Sequence, residues 1–81
     1  MTRKERVAAV HEIAVEVGGE VYDGYSGRGM FGKPCLGISC NDANECLEVA
    51  GSHGLKGGQT DQLGRGYIVY WPSIRAEEEV S

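Results

Sequence analysis

A glycine-rich stretch between two strand-like segments constrains the fold of this chain more than any other feature. Residues 25–33 read YSGRGMFGK, and three of these nine positions are glycines. Residues 20–25 before it and 34–40 after it have strand character, so the stretch predicts a β-hairpin with a tip of about eight or nine residues. In the second strand Leu36, Ile38 and Cys40 share one face, and this face is predicted to be core.

Two further segments have the apolar spacing of helices. In residues 3–17 the pattern predicts a helix that stops at Gly18, although residues 13–17 also fit a short strand and three basic residues lie near the unfavourable positive end of the helix dipole. A second helix is predicted to begin with Asp42 as N-cap and Glu45 three residues later, and to end near Gly51 or Gly54. Its apolar stripe consists of Ala43, Cys46, Leu47 and Ala50.

The C-terminal half predicts a long loop followed by one strong strand. Residues 51–66 contain six glycines and are predicted to be a loop. Residues 66–71, GYIVYW, are predicted to form a strand closed by Pro72. Its two faces are both apolar, which indicates either a central strand or an edge covered by a partner. The order predicts a single α+β domain over residues 1–75, with an antiparallel sheet of three or four strands and one or two helices on one face.

The charge distribution argues against a general nucleic-acid-binding surface. The net charge is −4, and Glu77, Glu78 and Glu79 in a predicted acidic, disordered tail (residues 76–81) supply most of it. Without these three glutamates the chain is nearly neutral, whereas a general nucleic-acid-binding surface requires clustered lysine and arginine. The cations of the glycine-rich segments are Arg28, Lys33, Lys56 and Arg65.

Size and composition favour a self-associating protein in a reducing compartment. A chain of 81 residues has a thin core, and three cysteines are too few for a disulfide framework, so a homo-oligomer is expected. The longest mostly apolar run, residues 7–17, is interrupted by charged residues, which predicts no membrane segment. We therefore expect a soluble, cytosolic protein.

The glycine-rich stretch matches G-x-G-x-x-G formally but lacks the strand-to-helix context of a dinucleotide-binding fold. Its glycines can nevertheless expose consecutive N–H groups as an anion-binding nest, with Arg28 and Lys33 contributing charge. The alternative is an ordinary hairpin tip with exposed cations. Met30 and Phe31 either fold back onto the sheet or, if exposed, join Tyr25 in stacking on a base or anchoring in a partner's pocket.

The second glycine-rich segment, within residues 51–66, offers polar groups that could bind the same ligand or partner. Asp61 could accept a hydrogen bond from a ribose hydroxyl, pair with Arg28 or cap a turn, and Arg65 could contact phosphate. The two glycine-rich segments could lie at the same end of the sheet.

No catalytic, metal or cofactor site is predicted. Cys35, Cys40, Cys46 and His53 lack zinc-ligand spacing, and Cys35 and Cys40 point to opposite faces of a strand. Cys40 and Cys46 fit small core hydrophobes, and His53 fits a helix end. The chain also lacks an evident nucleophile and base pair, so we expect a non-enzymatic protein without a cofactor.

The residues YSGRGMFGK (25–33), CLGI (35–38) and YIVYWP (67–72) resemble small uncharacterised proteins encoded by bacteriophages, in which the loop reads YSGRGM(Y/F)G. The resemblance covers about residues 21–72. It implies an accessory product that acts in the cytoplasm of the infected bacterium, often against host defence.

Three hypotheses follow. The first is an inhibitor that binds a host protein or complex, for example an immune component. The second is a protein that sequesters a nucleotide-like anionic small molecule through the same loops. The third is a structural or assembly subunit whose final strand pairs across a dimer. The site residues predicted for the first two are Tyr25, Arg28, Met30, Phe31, Lys33, Asp61 and Arg65.

Overall fold

The computed structural model describes residues 2–26 and 34–75. Their element order is α1 (Arg3–Val17), β1 (Glu20–Tyr25), β2 (Cys35–Cys40), α2 (Ala43–Ser52), β3 (Gln59–Leu63) and β4 (Gly66–Arg75). The predicted α+β class, with an antiparallel sheet and helices, is confirmed.

Both helices begin and end at recognisable caps. Thr2 caps α1 through a reciprocal capping box with Glu5, and Gly18 ends the helix in the left-handed conformation at φ 71°. The capping residue Thr2 was not part of the sequence prediction. In α2, Asp42 accepts a hydrogen bond from the N–H of Glu45, as its N-cap position predicted.

The four strands form one antiparallel sheet in the order β1-β2-β4-β3. The final strand β4 is therefore central, which confirms one of the two alternatives left open by its apolar faces. Residues 67–70 pair with β2 on one side and β3 on the other. Because both sides are occupied, this part of β4 has no free edge with which to pair across a dimer.

The sheet separates a large core from a smaller apolar cluster. On the helix-covered face, Leu36, Ile38, Val69 and Trp71 pack with buried residues of α1 and α2. On the other face, which we call the open face, the buried cluster consists of Tyr25, Cys35, Ile68 and Tyr70. The predicted division of β2 and β4 into two faces is confirmed.

Two boundaries differ from the sequence prediction. Gln59–Leu63, predicted as part of a loop, is the edge strand β3, which pairs regularly with β4. Its residues are mostly polar, so apolar alternation could not reveal it. Strand β4 also continues past Pro72 to Arg75, because a register shift opposite Cys35 and Leu36 leaves residues 72–74 outside the regular ladder with β2. A proline lacks a backbone N–H, and it is tolerated at position 72 because the irregular ladder with β2 does not require a donor there.

Candidate functional site at the basic end of the sheet

The predicted hairpin connection begins and ends at the C-terminal end of β4. Tyr25, the last residue of β1, pairs with Cys35 of β2, and Cys35 pairs with Arg75 of β4. Ser26 and Pro34 are the last described residues on the two sides of the connection. The predicted site residues Arg28, Met30, Phe31 and Lys33 lie outside the described residues, as does the predicted tail 76–81.

The N-terminus of α1 is anchored at the same end by two arginines. One guanidinium nitrogen of Arg3 donates a 2.6 Å hydrogen bond to the backbone oxygen of Arg75. The guanidinium of Arg6, one turn along the helix, donates at 2.6 Å to the hydroxyl of Ser73. These contacts explain why α1 tolerates basic residues in its first turn: their side chains bind acceptors on β4, which offset the unfavourable helix dipole.

Among the described residues, basic side chains therefore cluster where α1 begins and β4 ends. The described part of the chain contains six Lys and Arg residues, and four of them lie here. We call this surface the basic end, defined by Arg3, Lys4, Arg6 and Arg75. By contrast, Lys56 and Arg65 lie outside it, in the segment before β3 and in the β3–β4 turn.

The open face brings together two predicted site residues. The Tyr25 hydroxyl donates a 2.7 Å hydrogen bond to Asp61 Oδ2, and Asp61 Oδ1 accepts from the backbone N–H of Gln62 at 2.9 Å. The Tyr25 ring also packs against Tyr70 at a centroid distance of 4.8 Å, and against Tyr22 at 5.8 Å in a T-shaped arrangement. Tyr25 is only 8% exposed. Its ring is thus part of the sheet packing and is not presented for stacking on a base.

Arg65 lies far from the basic end. It occupies the turn that precedes Gly66, the first residue of β4, whereas the basic end lies at the last residue, Arg75. A ten-residue strand spans on the order of 30 Å, somewhat less where it bulges. The structure therefore brings Tyr25 and Asp61 together but does not bring Arg65 to the basic end. Residues 27–33 of the first glycine-rich segment lie outside the described residues, so the expectation that the two segments meet at one end stays a prediction.

The three cysteines are buried free thiols. Burial raises the pKa of Cys46 from its ordinary 9.0 to about 12, with a smaller contribution from the neighbouring Cys40. Burial likewise raises the pKa of Cys35 and of Cys40. A thiol with a raised pKa is protonated at neutral pH and is a poor nucleophile or metal ligand. The prediction that Cys40 and Cys46 serve as small core hydrophobes is confirmed.

His53 joins the two helices. As the C-cap of α2 it lies 2.9 Å from Glu16 through Nε2 and 3.6 Å from Glu12 through Nδ1. Both glutamates are on α1, so the sequence, which placed His53 at a helix end, gave no sign of this pairing. Within residues 2–26 and 34–75, no group of three His, Cys, Asp or Glu side chains is placed to hold a metal ion.

Comparisons with known proteins identified no similar protein. No protein-family model matches the chain, and neither a curated protein nor a solved structure shows significant similarity to it. Among the described residues, neither helix is long and apolar enough to cross a membrane.

Proposed function

We propose that the protein is a small non-enzymatic accessory protein of the bacteriophage type, which binds and inhibits a component of the bacterial host. The observation that carries this proposal is the convergence of Arg3, Lys4, Arg6 and Arg75 at one end of an otherwise acidic chain, whose net charge is −4. A concentrated positive surface accelerates association with an acidic partner and selects against basic ones. The proposed partner is therefore a host protein or complex with an acidic surface.

The sequence of the hairpin connection supports the same location. The connection joins β1 to β2 next to Arg75 and carries two further cations, Arg28 and Lys33, together with Met30 and Phe31. Arginine, methionine and aromatic side chains are enriched in protein interfaces. We propose that these four residues contact the partner together with the basic end.

Support for a non-catalytic role comes from the chemically reactive residues. The thiols of Cys35, Cys40 and Cys46 are buried, and their pKa values are raised. His53 is engaged with two glutamates between the helices. Free thiols also agree with action in the reducing cytoplasm of the infected host, where the phage resemblance would place it.

A charge-reversal experiment tests the proposal. Tagged protein is incubated with a bacterial lysate, and the captured proteins are quantified by mass spectrometry for the wild type and for a Lys4→Glu/Arg75→Glu variant. The matched control is Lys56→Glu/Arg65→Glu, which changes the net charge equally without altering any of the four residues of the basic end. We expect capture of the specific partner to fall roughly 10-fold or more in the basic-end variant and to persist in the control. Equal capture by both variants would refute the proposal.

A nucleotide-like anion is the second candidate ligand of the basic end. The observation that favours it is the contact of Arg6 with Ser73, because a guanidinium beside a hydroxyl suits a phosphate group. Thermal unfolding against mono-, di- and cyclic nucleotides distinguishes this candidate. A ligand at one hundred times its Kd stabilises the folded state by about 2.7 kcal/mol, whereas a protein that binds only macromolecules shows no shift.

A further inference from the structure

A groove on the helix-covered side of the sheet lies between the start of α2 and strands β3 and β4, away from the basic end. Its volume is about 330 Å³, and it is lined by Asn41, Asp42, Ala43, Asn44, Thr60 and Tyr67. This volume is near the lower limit of small-molecule sites in proteins. The groove contains none of the residues assigned to the proposed host interaction.

The side chains of this groove have unused hydrogen-bonding capacity. Within the described part of the chain, the side chains of Asn41, Asn44, Thr60 and Tyr67 form no hydrogen bond with one another or with other residues. Asp42 uses Oδ1 to cap α2, which leaves Oδ2 as an acceptor. Tyr67 is 41% exposed, one of three large apolar or aromatic residues described as exposed. An aromatic ring therefore lines the same groove as several amide, hydroxyl and carboxylate groups.

The charges around the groove favour a neutral ligand. The carboxylates of Asp42 and Glu45 repel an anion. The positive end of the α2 dipole, which Asp42 caps, offsets part of this negative charge, so the groove has no strong preference for an ion of either sign. A purely apolar ligand would leave the amides and the hydroxyl without partners when it excludes water.

We propose that this groove binds one ring of a neutral carbohydrate. The C–H face of a sugar ring packs on the electron-rich face of an aromatic side chain, here Tyr67. Asparagine amides and a carboxylate offer donors and acceptors side by side, which match neighbouring sugar hydroxyls. Thr60, on β3, adds a hydroxyl to the lining of the groove. The site is independent of the proposed host interaction and does not require it.

An NMR titration of ¹⁵N-labelled protein tests this site. The probes are glucose, galactose, mannose and N-acetylglucosamine, and we expect at least one to bind with a Kd on the order of 1 to 10 mM. The amide signals of residues 41–44, 60 and 67 should shift.

Tyr67→Ala and the isosteric Thr60→Val should each weaken binding by roughly 5-fold or more, whereas Tyr22→Ala, which removes an exposed tyrosine elsewhere, should leave it unchanged. Both substituted groove side chains are on the surface, so the fold should survive, as the unperturbed remainder of the spectrum would verify. No shift with any of the four sugars, shifts confined to other residues, or equal binding by the Tyr67→Ala variant would overturn the proposal.

Discussion

The hydroxyl of Tyr25 on β1 donates a 2.7 Å hydrogen bond to the carboxylate of Asp61 on β3. These are the two outer strands of the sheet, and β2 and β4 lie between them. The tyrosine side chain thus extends across the open face, over a sheet whose second strand has a glycine, Gly37, at the centre. Through this hydrogen bond, Tyr25, a member of the apolar cluster on that face, links the two outer strands of the sheet.

Tyr25→Phe is expected to destabilise the protein by about 1 to 2 kcal/mol. The substitution keeps the aromatic ring and removes the hydroxyl that donates to a charged acceptor. For a domain of this size, each 1 kcal/mol lowers the melting temperature by about 4 to 8 °C. Urea unfolding measures the effect, with Tyr22→Phe as the control, because the Tyr22 hydroxyl makes no hydrogen bond within the described residues. Equal stability of the two variants would show that the Tyr25 hydrogen bond contributes nothing.

Gly37→Ala is expected to destabilise the sheet by about 1 to 3 kcal/mol through overpacking. A Cβ at this position would lie 2.9 Å from the backbone oxygen of Val69 and 3.0 Å from Cδ1 of Ile68. The matched control is Gly51→Ala in α2, where a Cβ meets nothing within 4 Å. That change should stabilise the protein by about 0.5 to 1 kcal/mol, because alanine favours a helix more than glycine does. Opposite signs for the two substitutions, measured by denaturant unfolding, would support this packing.

The stability of the protein is expected to fall above about pH 9. The folded state raises the pKa of Cys46 from 9.0 to about 12, so between these values the unfolded chain loses this proton and the folded chain retains it. A group with a raised folded pKa stabilises the protein fully below its unfolded pKa, and this contribution is lost as pH rises towards the folded value. The loss is at most about 1.4 kcal/mol per pH unit for one thiol. Urea unfolding at pH 7.5 to 10.5 should show a smaller alkaline loss in Cys46→Ala than in the wild type, and the same slope in both would contradict the assignment.

Much of this fold could be predicted from the sequence because its main elements carry local signals. The helix Arg3–Val17 follows from apolar periodicity and terminal glycines, and β1, β2 and most of β4 follow from apolar faces and their glycine boundaries. Strand β3 was missed because Gln59–Leu63 is nearly all polar, and it is a strand only because β4 offers it a partner. Local pattern cannot reveal a strand that is specified by its neighbour.

The candidate site was predictable only in part, because its contacts join residues far apart in the chain. Tyr25 and Asp61 were both selected, but the hydrogen bond between them spans 36 positions and buries the ring that was expected to stack. Arg3 and Arg6 were recognised as unusual in a first helical turn, whereas their acceptors on β4 lie 72 and 67 positions away. The register of β4 also decides that Arg65 and Arg75 lie at opposite ends, and that register depends on tertiary pairing.

Self-association stays a prediction, and light scattering measures it directly. Strands β1 and β3 are the outer strands of the sheet, so a dimer formed by strand pairing would use one of them. Thr60→Pro would remove one backbone donor from β3, and we expect it to lower the mass of such a dimer if β3 is the strand that pairs. A dimer mass that is unchanged in a folded Thr60→Pro variant would exclude pairing through β3.

Inhibition of the host through the basic end is the central claim, and growth of a bacterium that expresses the chain tests it most directly. The wild type, Lys4→Glu/Arg75→Glu and the control Lys56→Glu/Arg65→Glu are expressed at equal levels of folded protein, and growth rates are compared. We predict that the wild type and the control slow growth equally, whereas the basic-end variant has little effect. Slowing of growth by the basic-end variant to the same extent as by the wild type would contradict the claim.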